Sequence, residues 1–139
     1  MKMFQFKFKS DTNLAEISTP IILKGKGTQA KSEKGNAIWD TGATSSMISA
    51  SMAKKLQLIP IGVTQIAGVH GVQNAKCYFI DIGFQNGFEI ENIKVSEASD
   101  FGGFDLLVGM DVINRGVFLI DGLNGEMKVL FQIPVDSSF

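Results

Sequence analysis

Apolar and polar residues alternate with a period of two along much of this chain. Phe4, Phe6 and Phe8 alternate with Gln5, Lys7 and Lys9, the pattern of a strand with one buried face. Pro20-Ile21-Ile22-Leu23 predicts a second strand, and the polar run from Thr28 to Asn36 reads as a hairpin loop ahead of Ala37-Ile38-Trp39. Further strands are expected at Ile59 to Ile66, Cys77 to Phe84, Ile90 to Val95, Phe104 to Val108, Val117 to Asp121 and Glu126 to Ile133.

Only two segments carry a helical pattern. From Ser49 to Leu58, Ser49 can accept from the open amides of a first turn, while Met52, Ala53 and Leu56 share one face. Lys54 and Lys55 then form the wet face. Met110 to Gly116 predicts a second, short helix that Gly116 stops. Eight or so short strands, 15 glycines and two small helices describe an all-β barrel or sandwich.

Composition narrows the function classes. With 139 residues the chain reads as one domain able to bury a real core, and 45% apolar against 19% charged residues suits a globular protein. A net charge of -1 with scattered Lys and Arg gives no footprint for nucleic acid and no polybasic membrane patch. No apolar run reaches the ~20 residues of a spanning helix, and the alternating start lacks the apolar core of a signal peptide. The single cysteine, Cys77, forms no intrachain disulfide. The expectation is a soluble, cytoplasmic protein.

Most catalytic arrangements fail on the residues available. Zinc sites need several His or Cys ligands, and this chain has one of each. Cys77 opens an apolar strand, where a buried, inert thiol is the usual case, and His70 reads as an exposed loop residue. Gly25-Lys26-Gly27 lacks the spacing of a phosphate loop. No cofactor is expected.

One segment stands apart. Ile38-Trp39-Asp40-Thr41-Gly42-Ala43-Thr44 carries an apolar strand into an aspartate at a glycine turn, ahead of the first helix. Further on, Phe104-Asp105-Leu106-Leu107-Val108-Gly109-Met110-Asp111 carries a second apolar run through a glycine into the second helix. Between them, Ile66-Ala67-Gly68-Val69-His70-Gly71-Val72 reads as a glycine-rich hairpin tip. In that order these three elements resemble a retropepsin-type aspartic protease, the single-lobe relative of pepsin. The resemblance covers a domain over 20–133, with an N-terminal extension over 1–19 that reads as a strand and a tail over 134–139.

The resemblance implies an all-β, single-lobe closed barrel with a flap hairpin, and an aspartic endopeptidase acting on a peptide or protein substrate. Peptide hydrolysis without a metal or a covalent nucleophile needs a water activated by a base and a carbonyl polarised by an acid. Two close carboxylates supply both, because like charges at that range hold one proton between them. Only Asp40 is followed by Thr-Gly, so the second carboxylate is expected from a second copy across a twofold axis. By the same resemblance Asp40, Thr41 and Gly42 form the catalytic motif, and Thr41 ties the pair together. Ala43, Thr44, Gly68, Val69, His70, Gly71, Phe104 and Leu107 are expected to meet substrate. Met110 stands where retroviral members commonly carry arginine, and Gly-Met-Asp is similar to retrotransposon and cellular members. A groove that holds an extended peptide without cutting it is the second reading, and a scaffold domain using only its dimer sheet is a third.

Overall fold

The computed structural model describes residues 15–68, 71–85, 87–100, 102–123 and 127–134, together with the backbone of 2–8. Its elements are β1 (Lys2–Phe8), β2 (Ile17–Lys24), β3 (Ser32–Trp39), β4 (Met47–Ser49), α1 (Ala50–Lys55), β5 (Gly62–Gly68), β6 (Gly71–Gly83), β7 (Glu89–Ala98), β8 (Leu106–Val108), α2 (Met110–Ile113), β9 (Val117–Asp121) and β10 (Met127–Ile133). Seven strands lie in the order β2-β3-β8-β4-β7-β6-β5, and β2 also pairs with β6. That extra pairing joins the row back on itself and leaves β5 as its only outlying member. A smaller sheet has the order β1-β10-β9.

Alternation makes these strands. Thr19, Ile21 and Leu23 of β2 are buried, as are Val129, Phe131 and Ile133 of β10, while their neighbours are half-buried. Each fully buried Leu or Ile contributes about 1.5–3 kcal/mol, and Leu23, Ile48, Ile80, Ile82 and Leu106 show no exposure. Trp39 joins the two sheets. Its ring stacks on Phe118 of β9 at 5.0 Å between centroids and lies 5.3 Å from Phe131 of β10. Its indole N–H donates to the buried Thr19 hydroxyl at 3.0 Å, which satisfies a polar atom that burial would otherwise penalise.

Several expectations needed correction. The polar stretch 28–36 is only partly a loop, because β3 already begins at Ser32, opposite Lys24 of β2. Backbone pairing along an exposed edge of the hairpin outweighs its polar composition. The strand expected from Ile59 begins instead at Gly62. Pro60 has no N–H to donate to a ladder, and Ile59 is 83% exposed. Three-residue β4 had no period long enough to read. α1 does start from Ser49, whose side chain accepts from Met52 N–H at 3.1 Å, but it ends at Lys55. α2 ends at Ile113, before Gly116. Gly116 serves a different need: a Cβ there would collide with the backbone carbonyl of Gln132 on β10.

Candidate active site

β3 and β8 run parallel, with Trp39 opposite Val108. Their C-terminal ends therefore emerge side by side, and Asp40 comes to lie beside the Gly109 turn despite their separation in sequence. The Asp40 N–H extends the ladder by donating to Val108 O at 2.9 Å. The chain then turns sharply. Ala43 N–H donates back to Asp40 O at 3.2 Å, and Gly42 N–H donates to the Asp40 carboxylate at 2.8 Å. A Cβ on residue 42 would sit 3.2 Å from that same carboxylate oxygen, so glycine keeps the approach open. Asp40 is half-buried, and Thr41 and Gly42 are exposed.

The next residues are bonded across to α2 and its entry. Met110 N–H donates to Ala43 O at 2.8 Å, and Asp111 N–H donates to Thr44 O at 3.2 Å. Ser46 donates to both oxygens of the Asp111 carboxylate, its N–H at 3.0 Å and its hydroxyl at 2.7 Å, and its Oγ accepts from Gly109 N–H at 3.0 Å. Gly109 is required here, because a Cβ would lie 2.9 Å from Ala43 O and Ser45 O. Arg115 reaches back through Nε to Asp111 O at 3.1 Å. Burial lowers the pKa of its guanidinium from the usual arginine value, and the Asp111 charge acts the other way.

A cleft of about 400 Å³ opens beside the Asp40 turn. Gly42, Ala43, Thr44 and Ser45 form one wall, and Thr64, Gln65, Ile66 and Ala67 of β5 form the other, with Met47 and Ser96 between them. A larger hollow of about 570 Å³ lies between residues 25–30 and 56–61, away from the Asp40 turn. The smaller cleft adjoins the turn that carries Asp40, because Gly42, whose N–H is bonded to the Asp40 carboxylate, lines it.

The expected site residues divide accordingly. Asp40, Thr41, Gly42, Ala43 and Thr44 come together in one turn. Gly68 and Gly71 pair at the end of the β5–β6 hairpin, and Gly71 has a φ of 103°. Val69 and His70 lie outside the described residues. Of the expected residues Gly42, Ala43 and Thr44 line the cleft, and Asp40, Thr41, Gly68, Gly71, Phe104 and Leu107 are not among its lining residues. Leu107 is half-buried and pairs with Ile38 and with Met47, which does line it. Sequence reading passed over Met47, Thr64, Ile66 and Ser96. The spacing of Thr64 and Ile66 puts both on the inward face of a strand, and that was the available signal.

A turn presenting one carboxylate on parallel strand ends, faced by a hairpin, defines the single-lobe retropepsin-like architecture. A family model described as "gag-polyprotein putative aspartyl protease" matches residues 28–115. The chain belongs to that family. Among solved structures, a retropepsin-like aspartic protease from Rickettsia conorii is similar over 94% of this chain and 92% of its own, at 17% identity and a TM-score of 0.60. The EIAV protease in complex with the inhibitor HBY-793 covers 74% of this chain and 90% of its own, at 20% identity and a TM-score of 0.55. These likenesses show the fold. No curated protein sequence gives a significant match.

Proposed function

We propose that the chain is an aspartic endopeptidase, active as a homodimer in which Asp40 of each copy forms a carboxylate pair. One observation carries this reading. The Asp40 carboxylate stands on a turn whose next residues, Gly42 to Ser45, line a cleft of about 400 Å³, and the backbone of that turn is bonded to the core. One copy supplies one such group, and a water-activating pair needs two.

In this reading the two carboxylates share a proton. The ionised member takes a proton from water as it attacks the peptide carbonyl, and the protonated member donates to the carbonyl oxygen. Thr41, exposed in the single chain, faces the partner copy. Ala43, Thr44 and the inward side chains of β5 hold the substrate on either side, with the hairpin tip at 68–71 closing over it.

The test is cleavage of a mixed peptide library by the pure protein beside Asp40→Asn. The substitution preserves shape and removes both base and acid, so turnover should fall by several orders of magnitude. A variant that cuts as fast as the parent would move the chemistry elsewhere. Peptide capture without cleavage by either form would favour the binding groove.

A further inference from the structure

α2 holds a second aspartate that the peptide chemistry does not use. Asp111 is half-buried and does not line the cleft. Its carboxylate nevertheless accepts three hydrogen bonds: Ser46 N–H on Oδ2 at 3.0 Å, Ser46 Oγ–H on Oδ1 at 2.7 Å, and Val112 N–H on Oδ1 at 2.9 Å. Ser46 is fully buried. A hydroxyl has one proton to give and lone pairs to accept with, so Ser46 can donate to Asp111 while accepting from Gly109 N–H. This short chain of bonds runs from α2 through the Ser46 hydroxyl to the end of β8. Two backbone bonds, Met110 N–H to Ala43 O and Asp111 N–H to Thr44 O, run beside it.

We propose that Asp111 is a positioning residue for the reaction: through Ser46 it fixes the path of residues 43–46, and with it the placement of Asp40 and the cleft wall. The inference rests on the proposed peptidase function for its kinetic readout, but the geometry stands by itself. The three groups hydrogen-bonded to the carboxylate are all donors. An asparagine at 111 would turn an NH2 toward at least one of them, so no orientation of the amide satisfies the set. A buried donor left without an acceptor forces the loop to shift, and a displacement of order 1 Å at a reacting group costs about a hundredfold in rate.

The experiment compares parent, Asp111→Asn, Ser46→Ala and the double variant in the full chain. Two readouts are taken: kcat per folded molecule on a peptide cut by the parent, and hydrogen exchange at the Ser46 and Gly109 amides. Both single variants should lower kcat, Asp111→Asn by about tenfold to a hundredfold, at temperatures where unfolding shows every variant folded. The double variant should lose no more than Asp111→Asn alone, because both act through one contact. Exchange at Ser46 should quicken in Asp111→Asn, and at Gly109 in Ser46→Ala, while the amides of β2 and β10 keep their protection. A merely structural role would lower the folded fraction and leave kcat per folded molecule at the parent's value, and that result overturns the proposal. Unchanged exchange at both amides overturns it equally. Should Asp111→Asn fail to fold, Ser46→Ala, which removes only one hydroxyl, decides by the same two readouts. If the parent cuts no peptide, the functional reading has failed, and the exchange data alone decide whether the clasp holds the loop.

Discussion

The cleft beside Asp40 has two walls that are held in different ways. The wall formed by residues 42–45 is bonded to the Gly109 turn and α2, partners more than 60 positions away in sequence. The opposite wall is strand β5. Among the described residues it pairs only with β6, from Gly62 opposite Cys77 to Gly68 opposite Gly71, and most residues of 62–67 and 71–76 are exposed. A segment with few buried apolar contacts and an exposed ladder belongs to the less stable parts of a fold. The contrast suits a site that must hold one group still while admitting and releasing a chain. The side that carries Asp40 is fixed by non-local bonds, and the opposite side depends on local ones.

Substitutions can break or sharpen that contrast. The largest effect is expected at Gly109. Alanine there would bring its methyl to 2.9 Å from the carbonyls of Ala43 and Ser45, and backbone cannot yield as a side-chain end can. Gly109→Ala should cost about 1–3 kcal/mol in denaturant unfolding. A variant as stable as the parent would mean that the fixed wall gives way easily.

A middle effect is expected at Tyr78, below the hairpin on β6, whose phenol donates to Glu97 of β7 at 2.8 Å. Tyr78→Phe should cost about 1 kcal/mol. Burial, and then the hydrogen bond and charge of Glu97, push the Tyr78 pKa up from 10.0 to about 12. The unfolded phenol loses its proton first, so stability is fully present below about pH 10 and is lost as pH rises toward about 12. Unfolding measured across that range should show this fall in the parent and a flatter curve in Tyr78→Phe. The same slope in both would remove Tyr78 as its source.

The smallest effect is expected on the hairpin's outer face. Val63 is 67% exposed, and Val63→Thr should change stability by less than about 0.5 kcal/mol. A loss comparable to that of Gly109→Ala would show the hairpin packed against something, and the contrast between the walls would disappear.

How far the sequence reveals this molecule follows the same division between local and non-local bonds. The Asp40 turn was legible because its residues are contiguous: an apolar strand, an acid, a glycine. The run from Leu106 to Gly109 was legible for the same reason, as were the Ser49 cap and the buried face of α1. Ser46 and Asp111 carried no signal, since nothing in either neighbourhood indicates that parallel pairing of β3 and β8 brings them together. Asp105 is a similar case. Its carboxylate accepts from Asn36 N–H at 2.9 Å, across a position where only Gly35 leaves room. The start of β3 was hidden because its outer half is polar and pairs through backbone alone. Phe104 and Leu107 were expected at the cleft from the resemblance alone; Leu107 pairs with Ile38 and with the cleft-lining Met47.

The central claim is that two copies of Asp40 make one site, and mixing tests it most directly. Parent chain and Asp40→Asn chain are unfolded together, refolded, and assayed for peptide cleavage per parent chain. If the site spans two copies, random pairing at equal amounts gives half of the parent chains a variant partner, and activity per parent chain falls to about half. Activity per parent chain that stays constant as the variant is added would show that one copy cuts alone, and would contradict the account.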